Sequence, residues 1–357
     1  MNRRVGPVAV TLTAAALMLA ACGSSNDGDS GSTGSSGSTS AKSTKRLVIG
    51  DILYDADAYQ IAQQKHMQKY ADSLGIKMVF GNQKGQGTAA PNIMDDLLAK
   101  NVDGIIFQPA DANVATPLVR QAQAKNIPVL GWAIPFTPDV TTPYVGLEEQ
   151  EQARAAGKRA AQYVQKHFPS KPVKGLIVTI AGVSICKDVR MGPFEQGVKA
   201  VAPDAKFTTV NGAGDRNKAV TVTEDVLQRE KDFTIATGCN SDMSMGALQA
   251  FKSAGLGGAT NKTPQHTYFY SINGTDEELR ALTDPSSPVM EVLGLTPKEV
   301  AKTLIDTTIK MIKGQLDPKS KQTFNVPDKA LSTDCAAANQ FNRDEYFARQ
   351  DLPCVGS

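Results

Sequence analysis

The chain has 357 residues, 41% of them hydrophobic and 21% charged, with 38 Lys and Arg against 36 Asp and Glu. That length is enough for two lobes with separate cores. A balance this close to neutral supplies no basic field to hold nucleic acid.

Met1 to Arg4 carry two arginines and no acid, and they run into an apolar stretch from Val8 to Ala21 broken only by Thr11 and Thr13. That is the pattern of an export signal: the stretch falls short of the ~20 apolar residues a spanning helix needs. Leu19-Ala20-Ala21-Cys22 resembles a bacterial lipobox, which implies cleavage after residue 21 and lipid on the thiol of Cys22. Without Arg3 and Arg4, which leave with the signal, acids and bases balance. Residues 22–44 are Ser, Gly, Thr, Asn and Asp with almost nothing apolar, so they cannot bury enough surface to offset ordering entropy and are expected to be a tether. If Cys22 carries lipid, Cys186, Cys239, Cys335 and Cys354 remain, an even set in an oxidising compartment, and two disulfides are expected.

From Lys45 onward strands and helices alternate. Arg46 to Ile52 reads as a strand and Tyr59 to Leu74 as a helix stopped by Gly75. Strands follow at Ile76 to Phe80, Gly104 to Phe107 and Pro128 to Trp132, with helices at Ala89 to Lys100 and Asn113 to Lys125. A second series has helices at Gln150 to His167, Phe194 to Val201, Ala219 to Arg229 and Ser244 to Gly255. Its strands are Gly175 to Ala181, Lys206 to Val210, Thr234 to Thr237, Thr267 to Ile272 and Val289 to Leu293. Pro297 to Lys313 is a last amphipathic helix, and the tail from Gln315, with Pro318, Pro327 and Pro353, reads as extended wrapping. Short apolar strands separated by long helices imply parallel sheets covered on both faces, and two such series imply two doubly wound α/β lobes. In such a lobe the first strand lies beside the third, which places Cys186 near Cys239 and leaves Cys335 for Cys354.

Ala71-Asp72-Ser73-Leu74-Gly75, the run Val102 to Asp111, Asn126-Ile127-Pro128-Val129 and the run Asn240 to Leu248 together resemble the ribose-binding type of periplasmic solute-binding protein (type I fold). The resemblance covers nearly all of Lys45 to about Asp317 and implies two lobes joined by three crossings, near Gly146 to Glu148, Gly294 to Thr296 and Gln315 to Lys319. The expected organisation is residues 1–21 signal, 22–44 tether, 45–146 plus 296–317 one lobe, and 147–295 plus 318–357 the other lobe and tail. The body is shared with sugar-sensing repressors, but no DNA-reading helix-turn-helix precedes Lys45.

In doubly wound sheets ligands sit beyond the carboxyl ends of the strands. The loop after the first strand carries Tyr54, Asp55, Asp57 and Tyr59, where the family places a polar hydrogen bonder and aromatic rings; Asp57 and Tyr59 fall on the matching positions. Trp132, the single tryptophan, is either a cleft platform or a core filler at the sheet edge. Ala133-Ile134 stand where the family often has an Asp-Arg pair. In the second series Arg190 is the nearest match to a ligand-binding arginine, with Lys187 or Asp188 as alternatives if the loop is offset, and a helix-end surface charge as the plainer reading. Asn240 opens the strongest motif and can both donate and accept; Asn273 takes the place of a common aspartate, and Gly294 that of a common glutamine.

These residues imply an extracytoplasmic, lipid-anchored binding lipoprotein of a bacterial ABC importer, capturing a small sugar or polyol by hinge closure and handing it to a permease. A monomer without cofactor is expected. The substitutions at Ala133-Ile134, Asn273 and Gly294 favour a short polyol over a pyranose. A receptor feeding a signalling partner is the alternative. A secreted enzyme is disfavoured, because no nucleophile elbow and no phosphate-binding loop appears. His66, His167 and His266 are scattered, which disfavours zinc.

Overall fold

The computed structural model describes residues 46–256 and 266–354. The signal, the tether and Cys22 lie outside the described residues.

The first sheet is built from β1 (Val48–Leu53), β2 (Lys77–Asn82), β3 (Gly104–Phe107), β4 (Val129–Trp132), β5 (Tyr144–Leu147) and β11 (Thr323–Val326), in the order β11-β5-β4-β3-β1-β2. The second contains β6 (Lys174–Thr179), β7 (Lys206–Asn211), β8 (Ile235–Gly238), β9 (Tyr268–Asn273), β10 (Val289–Gly294) and β12 (Lys329–Leu331), in the order β12-β10-β9-β8-β6-β7. Pairing is parallel throughout except at β12, which runs antiparallel to β10.

Parallel strands are short because both faces are buried, and the alternation of side chains shows it. Ile106 and Leu130 pack to one side of the first sheet with residues of α1 (Ala58–Ser73) and α9 (Pro297–Ile312), whereas Ile105 and Val129 pack to the other with α2 (Ala90–Ala99) and α3 (Ala112–Ala124). The second sheet is covered by α4 (Glu149–His167) and α5 (Gly192–Val201) on one face and α6 (Arg216–Leu227) and α7 (Ser241–Ser253) on the other. Helix α4 crosses α5 so closely that a Cβ on Gly157 would stand 2.1 Å from the Phe194 carbonyl oxygen, and one on Gly197 2.0 Å from that of Arg154.

Several elements differ from the sequence expectation. Helix α8 (Asp276–Thr283) and strand β5 were not anticipated, and Ile185–Met191 forms a π-helix instead of a loop. The tail is not extended wrapping: it supplies β11, β12 and helix α10 (Cys335–Tyr346). None of the prolines at 318, 327 and 353 falls within α10, so nothing in the chain forbids that helix. The third connection between the sheets therefore falls at Pro327-Asp328, between β11 and β12, and not near Gln315 to Lys319. Both cysteine pairs are disulfide-bonded, Cys186–Cys239 with Cα atoms 5.3 Å apart and Cys335–Cys354 with Cα atoms 6.0 Å apart. The first joins the π-helix to the end of β8, since β6 lies directly beside β8.

Candidate functional site

The carboxyl ends of both sheets face a single cavity with about 560 Å³ of empty space, including the part open to solvent. Its walls come from the turns after β1, β3, β4 and β5 in the first sheet and after β6, β8, β9 and β10 in the second, the position that doubly wound topology dictates.

Of the expected residues, Tyr54, Asp57, Tyr59, Trp132, Arg190, Asn240 and Asn273 all line this cavity. Asp55 does not: its Oδ1 accepts the N–H of Ala56 at 2.7 Å and its other oxygen lies toward Gly85. Lys187 and Asp188 are exposed on the outer face of the π-helix, which resolves that register in favour of Arg190. A π-turn shifts the side chains that follow it relative to α-helical phase, and π-turns are often found at functional sites.

Two polar residues are half committed to helix caps. Asp57 is the N-cap of α1, its Oδ1 accepting the Gln60 N–H at 2.8 Å, and Asn240 is the N-cap of α7, its Oδ1 accepting the Met243 N–H at 3.0 Å. The caps fix both side chains on the lining and use only Oδ1 of each, leaving Asp57 Oδ2 and the Asn240 amide group uncommitted to the cap. Burial pushes the Asp57 carboxyl up to about 6, with Asp242 and Asp55 adding in the same direction.

Arg190 is not a free cation. Its Nε and Nη2 grip both carboxylate oxygens of fully buried Glu149, and Nη1 donates to the Cys239 carbonyl at 2.8 Å. Of its five N–H groups two remain, so it offers hydrogen-bond donors while its charge is answered within the protein. Beside this pair Asp328, on the third connection, is held neutral more readily than an ordinary carboxyl by burial and the neighbouring Glu149 charge.

Trp132 satisfies both readings offered for it: it is 1% exposed, and it also forms part of the cavity wall. Its Nε1, the Tyr59 hydroxyl, Gln60 Oε1 and Asn273 Oδ1 are buried with no hydrogen-bond partner among the described residues. Leaving such groups unpaired is costly, and these four belong to residues that line the cavity from both lobes. Two of the non-glycine residues with positive φ, Ala133 at 55° and Asn273 at 130°, also lie on this lining.

Three polar wall residues were not anticipated: Gln60, Gln108 and Glu149. Gln60 Nε2 donates to Gln108 Oε1 at 2.7 Å, and Gln83 Nε2 in turn holds the Gln108 carbonyl at 2.7 Å. Gln108 follows β3 directly, so the carboxyl-end rule could have found it. Gly294 is not on the wall: a Cβ there would come 2.6 Å from the Phe341 ring, so this glycine answers to packing by α10 and not to a missing ligand contact.

Two lobes of parallel sheet whose carboxyl ends share one polar cavity define a two-lobed solute-binding protein. The family described as periplasmic binding protein domain matches residues 52–316, and the chain belongs to it. The fructose import binding protein of Bifidobacterium longum is 28% identical over 319 residues, covering 84% of this chain and 88% of that protein. A xylitol-binding protein of Mycolicibacterium smegmatis is 29% identical, covering 79% and 73% respectively. Among solved structures, the binding component of an arabinose ABC transporter from Shewanella, bound to L-arabinofuranose, superposes with a TM-score of 0.72 at 20% identity, covering 84% of this chain and 95% of that one. That level of identity speaks for the fold alone. The architecture is the type I periplasmic binding fold. No helix among the described residues is long and apolar enough to cross a membrane.

Proposed function

We propose that this protein captures a small uncharged sugar or sugar alcohol outside the cytoplasm for an ABC importer, closing its lobes on the ligand and presenting the closed form to the permease. The observation that carries this is the wall of buried, unpartnered polar atoms on Tyr59, Gln60, Trp132 and Asn273, beside an arginine already neutralised by Glu149. Hydroxyl groups donate and accept, so a polyhydroxylated ligand can satisfy Trp132 Nε1–H, the two amide oxygens and the Tyr59 hydroxyl together. The aromatic faces of Tyr59 and Trp132 suit its C–H surface. Each lobe contributes part of this set, so the ligand binds the closed state better and shifts the population toward it. Binding names among the relatives, fructose and xylitol, support the class.

Within that class a short polyol remains the favoured ligand. Gly294 no longer bears on the choice, but Ala133-Ile134 line the cavity with apolar groups and leave fewer contacts for a rigid pyranose. Lipid on Cys22 would hold the protein at the membrane through the 22–44 tether.

The test is a thermal-shift panel of erythritol, ribitol, xylitol, D-ribose, D-fructose and D-glucose. A ligand at 100 times its Kd stabilises by ~2.7 kcal/mol, a shift of several degrees for a protein of this size. A shift with at least one of these neutral compounds is expected, and with a polyol first. No shift with any of the six refutes the reading; a shift with D-glucose and none with a polyol refutes the preference.

A further inference from the structure

Helix α10 is bonded to both lobes. On one side Asn342 donates its side-chain amide to Asp276 of α8 at 2.7 Å, and the Tyr346 hydroxyl donates to the backbone oxygen of Asn273 at 2.7 Å. On the other, His66 Nε2 of α1 lies 2.9 Å from the Glu345 backbone oxygen, and the Glu345 carboxylate accepts the Lys298 N–H in the first turn of α9 at 2.9 Å. Phe341 presses into a slot floored by glycine: a Cβ on Gly274 would come 2.9 Å from its ring and one on Gly294 2.6 Å. The helix is tied to the chain that follows it by the Cys335–Cys354 disulfide at its first residue and by the Leu352 N–H, which donates to Asn339 Oδ1 at 2.7 Å.

One of these contacts, from the Tyr346 hydroxyl, reaches Asn273. It sits on the cavity wall at φ 130°, a conformation that side-chain-bearing residues avoid, with Gly274 following at φ 79°. Its carbonyl accepts two hydrogen bonds, from the Tyr346 hydroxyl and from the Leu295 N–H at 3.0 Å. A strained backbone persists only where its surroundings over-determine it. Of the two donors, Tyr346 is the one the tail brings in.

We propose that Tyr346 is a positioning residue for ligand capture: α10 pins the Asn273 carbonyl and thereby holds the Asn273 side chain on the cavity wall in the geometry the ligand meets. This rests on reading the cavity as the ligand site. Tyr346 itself does not line the cavity, so it acts through Asn273.

The variant is Tyr346→Phe, which keeps the ring and removes one O–H. Without ligand, hydrogen exchange at the Leu295 amide, which donates to the Asn273 carbonyl, rises several-fold while β8 stays protected; unchanged exchange there overturns the proposal. Wild type, Tyr346→Phe, Asn273→Ala and the double variant are then titrated calorimetrically with xylitol, D-fructose and D-ribose. For any probe that binds wild type, Tyr346→Phe weakens binding about 5–10-fold, the loss expected for one hydrogen bond. The double variant is no weaker than Asn273→Ala alone, because Tyr346 works through Asn273. Unaltered affinity in Tyr346→Phe, or losses that multiply in the double variant, overturns it. Wild type that binds none of the three counts against the proposed function, and the exchange measurement still decides the positioning role.

Discussion

Arg190→Met isolates the buried ion pair at the cavity floor. Glu149 is 0% exposed and Arg190 7%, so removing the guanidinium leaves a carboxylate with no water and no cation. Breaking a buried pair from one side typically costs about 3–5 kcal/mol, and the Cys239 carbonyl loses its 2.8 Å donor as well. Against a total stability of about 5–15 kcal/mol this is a large fraction, and it translates to a fall in melting temperature on the order of 10 °C by calorimetry. The double variant Glu149→Leu/Arg190→Met removes both charges and the burial cost together. It is expected to recover most of the stability while losing ligand affinity, since the lining loses the two guanidinium N–H groups not spent on Glu149 and Cys239. Arg190→Met within about 1 kcal/mol of wild type at neutral pH would refute the reasoning, because the pair would then contribute nothing that water does not replace.

Burial raises the Asp51 carboxyl to about 8, and its Oδ2 has no partner among the described residues. A folded-state value above the unfolded 3.8 means the native protein holds a proton the unfolded chain has lost, so this group's contribution falls as pH rises from about 4 to about 8. Urea titrations of Asp51→Asn and wild type are expected to diverge in the variant's favour across that window, by about 1.4 kcal/mol per pH unit at most; a pH-independent difference contradicts this. Gly157→Ala would gain about 1 kcal/mol from helix propensity alone, but its Cβ would stand 2.1 Å from the Phe194 carbonyl oxygen. Net destabilisation of about 1–3 kcal/mol is therefore expected from chemical denaturation, and a stabilised variant would show that α4 and α5 separate freely. Replacing Cys186 and Cys239 by serine opens a 53-residue closure, worth about 4 kcal/mol in the chain-entropy model. Equal denaturation midpoints would mean the thiols are not bonded in the purified protein. Cys22→Ala is expected to move the protein from the membrane fraction to the medium or to leave it uncleaved, read by detergent partition; continued partition into detergent would point to another anchor.

The two sheets were legible because parallel strands buried on both faces read as short unbroken apolar runs such as Gly104 to Phe107, and the helices between them carry their own period. Asp57 and Asn240 were legible for a related local reason: each follows a strand and caps the next helix, so its place depends on a few neighbouring residues. Helix α8 also had a local signature that went unread, the Thr275 and Glu278 capping box ahead of an eight-residue helix. Other features were not in the local sequence at all. The partner of Arg190 is Glu149, 41 residues away, and their meeting depends on how the π-helix turns Arg190 inward against the first turn of α4. Prolines bias a tail toward extended structure only where they stand, and whether residues 335–346 coil depends on the lobes offering them a groove floored by Gly274 and Gly294. Periodicity and caps are properties of neighbouring residues, so the chain alone determined the alternating strands and helices of the two lobes and the wall positions that directly follow a strand, such as Asp57 and Asn240. Which charges are spent on each other, and which glycine makes room for which ring, depends on surfaces brought together from distant parts of the chain, and only the tertiary structure decided them.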